Sequence, residues 1–418
     1  MKYCKRCLYP ENHPLNIVFD ESGICSGCRV HEEKYTLDWD ERLDRLKKIV
    51  NQYKSKSRNI HDCIIPVSGA RDSYFIVDFV KNKLGLTPLL VTYNKQYNTD
   101  RGIRNLAYLQ SKMGCDILSM TVDPRLVKKI TRETLRLKGS IYWHCLAGQS
   151  VYPVNIAQKF KIPLIIWGAH QGLDQVGMFS HENEVEMTRK YRKEHDLMGM
   201  EAEDLANNSP ILSLDDLELF KYPGDREIAS VGVRGIYLGN YLPWDSKSQH
   251  EAMIAKFSYE THQLQRTFDS YNDVDCFHYS GLHDWIKFAK FGYGKVTDHA
   301  SREIRLKRLT RSAGIELVKK YSNIKPNDLD VFSKWLGVGP DQILETVNSF
   351  RSPSVWERCD EGFKLTTSVI ESADDPSAHL QVNGDCNFNN DSKRVSADES
   401  EYVLFGRGWV DNYSTIYP

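Results

Sequence analysis

Short apolar runs alternate with amphipathic stretches through the first part of the chain. Cys63-Ile64-Ile65-Pro66-Val67, Pro88-Leu89-Leu90-Val91-Thr92-Tyr93, Asp116-Ile117-Leu118-Ser119-Met120-Thr121 and Pro163-Leu164-Ile165-Ile166-Trp167-Gly168 are each too short for a stable helix. Their largely continuous apolar character is that of strands covered on both faces. Between them, residues 72–84 (stopped by Gly85), 101–113 and 151–160 carry helical spacing. This alternation predicts a doubly wound, parallel α/β sheet with ligands at the carboxyl ends of its strands. Tyr93, Asn94 and Gly168 fall at such ends. A charged helix is expected over residues 38–53, ahead of the first strand. After about Phe350 the pattern changes: residues 372–400 are rich in Asp, Asn and Ser, and Tyr402-Val403-Leu404-Phe405 and the final aromatic segment return as candidate strands. The chain divides into a module over residues 1–37, an α/β domain over 38–250, a helical region over 251–350 and a loop-rich extension over 351–418.

Composition narrows the class. The 418 residues are 41% hydrophobic and 27% charged, an ordinary globular balance. No transmembrane run is visible, and Met1-Lys2-Tyr3-Cys4 leads into polar sequence without the apolar core of a secretory signal, so a cytoplasmic protein without membrane insertion is expected. With 55 basic against 56 acidic residues, no global excess of positive charge is left to track a phosphodiester backbone, and nucleic acid is not an expected partner.

Four of the ten cysteines form two CxxC pairs, Cys4/Cys7 and Cys25/Cys28. Each CxxC turn aims two sulfurs at one point, and two turns complete a closed tetrahedral shell, the pattern of a structural Zn²⁺ site. Metal binding would supply folding energy to a segment too short to bury its own core. His13 and His31 lie nearby but are expected to stay outside a shell that four sulfurs fill.

The first strand runs directly into Ser68-Gly69-Ala70-Arg71-Asp72-Ser73 and then a helix. A small-residue loop between strand and helix builds an anion site from backbone N–H groups and the helix dipole. The hexapeptide is neither GxxxxGK[ST] nor GxGxxG. It resembles the PP-loop, SGGxDS, of enzymes that cleave ATP between the α and β phosphates, matching at Ser68, Gly69, Asp72 and Ser73. Ala70 stands where a second glycine is usual, and alanine would crowd a phosphate or resist a positive φ angle. Arg71 stands where lysine is common, and its guanidinium can still neutralise phosphate charge.

Further stretches extend the resemblance: residues 99–106, Trp143-His144-Cys145, Ile165-Ile166-Trp167-Gly168, Tyr241-Leu242-Pro243-Trp244-Asp245 and residues 291–305, together with the CxxC pairs. They are similar to N-acetyl sugar amidotransferases of surface-polysaccharide synthesis, of the WbpG type, over residues 1–321. The resemblance implies conversion of an acetamido group on a nucleotide-linked N-acetyl sugar to an acetamidino group, during O-antigen or capsule assembly. ATP with Mg²⁺ would adenylate the acetamido oxygen, and ammonia would attack the activated carbon. Ammonia is expected from a partner glutaminase, of the kind paired with a cyclase-like subunit, because Lys2 follows Met1 where an amino-terminal-nucleophile glutaminase needs cysteine, and little chain remains for a triad domain.

Site candidates follow. Arg71, Asp72, Ser73, Asp298 and His299 are the expected catalytic set, and Ser68–Ser73 with Tyr93, Asn94 and Gly168 the nucleotide set. Trp143, His144, Cys145, Trp244, Asp245, Lys295, Arg302 and Arg305 are the expected substrate set. Alternatives stand beside several of these. Cys145 beside His144 fits a thiolate or a neutral lining residue, and adenylation needs no sulfur nucleophile. Trp244 and Asp245 fit a stacking and orienting pair or a packed indole beside a capping aspartate. Helical spacing puts His299 and Arg302 on one face, as it does Asp298 and Arg302, fitting an anion site or a solvated charged face. Two rival functions share the loop: a tRNA-thiolating enzyme, and a non-catalytic nucleotide-binding scaffold.

Overall fold

Successive side chains of a strand point to opposite faces, and β1 (Cys63–Pro66) shows why the sheet must be covered twice. Ile65 packs with Leu90, Ile166 and Ile236 on one face, while Ile64 packs with Leu89, Val91 and Ile165 on the other. In the computed structural model, which describes residues 1–54, 60–360, 362–372, 382, 384 and 386–388, β1 lies at the centre of a five-stranded parallel sheet. β2 (Pro88–Tyr93), β3 (Asp116–Met120), β4 (Leu164–Trp167) and β5 (Arg234–Tyr237) complete it in the order β3-β2-β1-β4-β5. The first four are the expected strands. β5 adds a strand that the pattern did not announce: four residues, Arg-Gly-Ile-Tyr, give too little alternation to detect.

Helices cover both faces. Helix α1 (Ser26–Glu33) belongs to the cysteine module. Helices α2 (Trp39–Lys54), α3 (Arg71–Asp78) and α4 (Asp100–Met113) contribute Leu46, Val50, Tyr74, Val77, Tyr108 and Leu109 to one face. α3 continues as a π-helical turn, Phe79–Lys83, before Gly85 turns the chain at φ 65°. After α5 (Pro124–Lys138), helix α6 (Trp143–Phe160) packs Val154 and Ala157 on the other face. α6 starts eight residues before the expected 151–160 segment and runs through Pro153. A helix buried nearly all round has no polar stripe to reveal its period.

The remaining helices include Ser246–Phe257, Leu282–Phe291, Lys295–Arg305, Arg311–Tyr321, Leu329–Leu336 and Pro340–Ser349. A hairpin of β6 (Trp356–Cys359) and β7 (Gly362–Leu365) follows, within the stretch expected to be loop-rich. The candidate strand Tyr402-Val403-Leu404-Phe405 and most of the stretch 372–400 lie outside the described residues. No helix among the described residues is long and apolar enough to cross a membrane.

A buried bidentate pair fastens the helical region to the sheet domain. Arg104 on α4 donates through Nε and Nη2 to the two carboxylate oxygens of Glu260, at 2.7 and 2.8 Å. Asn105 reciprocates with the Glu260 backbone, accepting from its N–H at 2.9 Å and donating to its carbonyl at 3.1 Å. Arg104→Leu would strand a buried carboxylate, so urea denaturation should show a loss of about 3–5 kcal/mol.

Candidate functional site

In a parallel sheet of this order, the chain leaves β1 and β4 in opposite directions and opens a crevice at their carboxyl ends. The loop Ser68–Ser73 fills that position after β1. Gly69 takes φ 79°, and a Cβ there would lie 2.8 Å from the Gly102 carbonyl, so glycine is required on both counts. Ala70 is extended, at φ −85° and ψ 172°, so the positive-φ objection to alanine does not arise. The loop braces itself: the Ser68 N–H donates to Ser73 Oγ at 3.1 Å and the Ala70 N–H to Ser68 Oγ at 3.2 Å. Arg71 and Asp72 open α3, and His250 Nε2 stands 3.6 Å from Asp72 Oδ1.

Asp72 borders a cleft of about 640 Å³. Ala169, after β4, and Trp244, after β5, line the same space, and its far wall is the helix Lys295–Arg305. The structure therefore gathers Asp72, Trp244, Lys295, Asp298, His299, Arg302 and Arg305 around one cavity. Asp298 accepts from Tyr9 Oη and Gln175 Nε2, each at 3.0 Å, and pairs with Lys287. Burial works against its charge, but Lys287 together with His13 and His299 holds the carboxyl below its usual range. Lys295 pairs with Asp273, and its ammonium sits 3.5 Å from the Tyr279 ring centre. His299 Nδ1 lies 2.7 Å from Thr267 Oγ1, and Arg302 donates to Asp269 at 2.7 Å. His299 and Arg302 thus share the Asp269 side, whereas Asp298 turns toward the cysteine module.

Other expected positions are placed differently. Trp143, His144 and Cys145 form the first turn of α6 and are fully buried. Trp143 Nε1 donates to the Met200 carbonyl at 2.7 Å, and His144 Nδ1 meets the Tyr93 hydroxyl at 3.0 Å. Burial raises the Cys145 thiol well above its ordinary range, so all three are core residues where substrate contacts were expected. Tyr93 is likewise turned into the core, and its ring occupies the space where a side chain at Gly148 would lie. Asn94 stays at its strand end, where its side-chain oxygen accepts from Gln96 N–H and Asn98 Nδ2 at 3.0 and 2.7 Å. Gly168 backs directly on the Trp244 ring. Asp245 caps the helix Ser246–Phe257 and binds Arg308 at 2.7 and 3.0 Å, which is the capping alternative.

The four cysteines close on one another. All Sγ atoms lie within 4.8 Å, with Cys7 to Cys25 at 3.6 Å and Cys4 to Cys28 at 4.0 Å. A tetrahedral zinc with bonds of ~2.3 Å needs sulfurs about 3.8 Å apart, so the donor set fits. Arg305, expected to bind substrate, instead directs its guanidinium at this cluster. It reaches Cys28 and Cys25 Sγ at 3.4 Å and the Gln175 carbonyl at 2.6 Å. A Cβ at Gly27 would come within 2.3 Å of that guanidinium.

The spacing of His283, Lys287 and Lys290 along Leu282–Phe291 was a signal missed in the sequence. Positions i, i+4 and i+7 share one helix face, and all three line the cleft. Burial lowers Lys290 to about 8, with Lys138 adding to the effect.

Residues 252–369 match the family model described as "LPS biosynthesis protein WbpG-like, C-terminal domain". That stretch is similar to the WbpG-like C-terminal domain. Lys295, Asp298, His299 and Arg302 all lie in this matched segment, and they share the cleft with Asp72, Ala169 and Trp244 of the sheet domain and Tyr9 of the cysteine module. Among curated proteins, an uncharacterized protein, MJ1599, of Methanocaldococcus jannaschii is 23% identical over 120 residues, or 29% of this chain and 43% of the relative. The match thus spans less than half of that relative's length. Two solved structures are similar at 12% identity and a TM-score of 0.28. NMN synthetase from Francisella tularensis is matched over 53% of this chain and 96% of its own. NH3-dependent NAD synthetase from Campylobacter jejuni is matched over 47% and 92%.

Two outcomes are expected. Elemental analysis should find one zinc per chain, and Cys25→Ala should lose it together with a cooperative melting transition. Burial depresses His144 and His283 to about 3 and His299 to about 4. These rings are neutral when folded, whereas in the unfolded chain they take up protons below about 6.5. Stability should therefore fall as pH drops from about 6.5 toward 4, each histidine steepening the loss by up to about 1.4 kcal/mol per pH unit, measurable as melting temperature against pH.

Proposed function

We propose that the chain is a cytoplasmic, ATP-dependent, AMP-forming amidotransferase acting on a nucleotide-linked N-acetyl sugar of surface-polysaccharide assembly. The observation that carries this reading is the shared cleft: Asp72, in the first turn after the phosphate loop, faces the Lys295–Arg305 helix of the WbpG-like domain. A nucleotide at the loop and a sugar against the helix would then lie side by side.

An acetamido group is inert toward ammonia. Its oxygen would attack the α phosphorus of ATP and expel pyrophosphate. Ammonia would add to the activated carbon, and AMP would leave with the oxygen, giving the acetamidino group. The loop backbone and the α3 amino terminus would hold the phosphates. Mg²⁺, when bound, neutralises the pyrophosphate, and Asp72 offers the hard oxygen ligand that such an ion takes. His299, depressed by burial to about 4 despite the opposing charge of Asp269, would be neutral at physiological pH and would serve as a hydrogen-bond partner for the incoming nitrogen, not as a strong base. Ammonia would come from a glutaminase partner.

Thiolation of tRNA is less well supported, because no cysteine lines the cleft among the described residues: Cys63, Cys115, Cys145 and Cys276 are buried, and Cys359 and Cys386, which are not, lie outside it. Zinc-loaded protein given ATP, Mg²⁺, ammonium and UDP-N-acetyl sugars should release AMP and pyrophosphate only when sugar is present. Asp72→Asn should lower that turnover by about 10²-fold. AMP release that depends on tRNA, or none with any sugar, would refute the assignment.

A further inference from the structure

Buried hydrogen-bond donors almost always have partners, so those that lack one at the edge of a cavity point to a ligand. His13 Nε2 and the Tyr293 hydroxyl have no hydrogen-bond partner among the described residues, and both residues line the cleft. His13 lies in the cysteine module, in the loop between the two CxxC pairs, and is 5% exposed; Tyr293, just before the Lys295–Arg305 helix, is 2% exposed.

The His13 ring has a defined polarity. Its Nδ1 accepts the Leu15 backbone N–H at 3.1 Å. A nitrogen that accepts carries no proton, so in the neutral ring the proton is on Nε2. Burial, and next the charge of Lys287, push the ring down to about 3. His13 is therefore a neutral imidazole with a fixed Nε2–H donor. Its ring stacks on Tyr293, with centroids 5.5 Å apart and planes at 29°, and Tyr9 closes edge-on against both at 5.0 and 6.0 Å. The Lys287 ammonium lies 4.5 Å from the Tyr293 ring centre and is shared with Asp298.

Aromatic rings beside uncharged, fixed donors match the two kinds of surface on a pyranose: C–H groups that pack on rings, and oxygens that accept hydrogen bonds. A neutral donor is also better suited to a hydroxyl or amide oxygen than to a phosphate, for which charged donors are the stronger partners. We infer that His13 is a specificity-determining residue whose Nε2–H, together with the Tyr293 hydroxyl, binds an oxygen of the sugar ring in the nucleotide-sugar substrate. The cysteine module is then a wall of the substrate site as well as a folding clip. This inference rests on the function proposed above.

Titration calorimetry on the full-length, zinc-loaded chain tests it, with UDP-N-acetylglucosamine, its uronate and ATP–Mg²⁺ as separate probes. His13→Leu and Tyr293→Phe should each weaken binding of at least one UDP sugar by about three- to tenfold, the loss of one neutral hydrogen bond. ATP affinity and zinc content should stay at wild-type values. His13→Gln, which keeps an N–H near the same place, should recover most of the loss. Wild-type sugar affinity in both His13→Leu and Tyr293→Phe would overturn the inference while leaving the proposed function standing. Equal losses for sugar and ATP would also overturn it, by showing a structural role. A wild-type chain that binds ATP but neither UDP sugar would overturn the inference and the proposed function together. Should His13→Leu lose zinc, Tyr293→Phe, which removes a single oxygen, decides alone.

Discussion

A buried guanidinium must find acceptors for its donors, and Arg305 finds them in parts of the chain far apart in sequence. Cysteine sulfurs of the amino-terminal module receive it on one side and the carbonyls of Asp174 and Gln175, after β4, on another, while its own helix carries Asp298, His299 and Arg302. Thiolates gathered around a divalent zinc leave a net negative cluster, and a fixed cation beside it offsets that charge where no water can. Arg305 therefore sets how the module, the sheet and the carboxyl-terminal helices meet, and their meeting line is the cleft.

What was legible in the sequence was local. Four strands showed themselves because each is a largely apolar run, and the strand-to-helix loop Ser68–Ser73 because a small-residue hexapeptide follows one of them directly. The cysteine pairs were legible because metal geometry fixes their spacing. β5 was not, being four residues long, and the start of α6 was not, because Trp143, His144, Cys145 and Ala147 are all buried and leave no amphipathic contrast. That error displaced the substrate assignment: Trp143, His144 and Cys145, ahead of the expected 151–160 helix, are inside the helix and buried.

The site itself was half legible. The dense polar run from Lys295 to Arg305 stood out and lines the cleft. Its partners did not, since Tyr9, Gln175, Asp269 and Asp273 reach it only through tertiary packing and no local spacing connects them. His13 illustrates the limit well. In the sequence it was only a bystander to the cysteine shell; its surroundings make it a neutral donor in a residue that lines the cavity, held in one tautomer by the Leu15 amide.

The union of the cysteine module with the Lys295–Arg305 helix has a temporal side. Leu8 N–H donates to Ser301 Oγ, and Tyr9 Oη to Asp298, across 293 and 289 residues. At ribosomal rates of about 5–20 residues per second, roughly 15 to 60 s separate the emergence of the cysteines from that of the helix they pack against. Through that interval the nascent module has its four sulfurs but lacks its docking partner, so a metal taken up then is held before the helix it packs against exists.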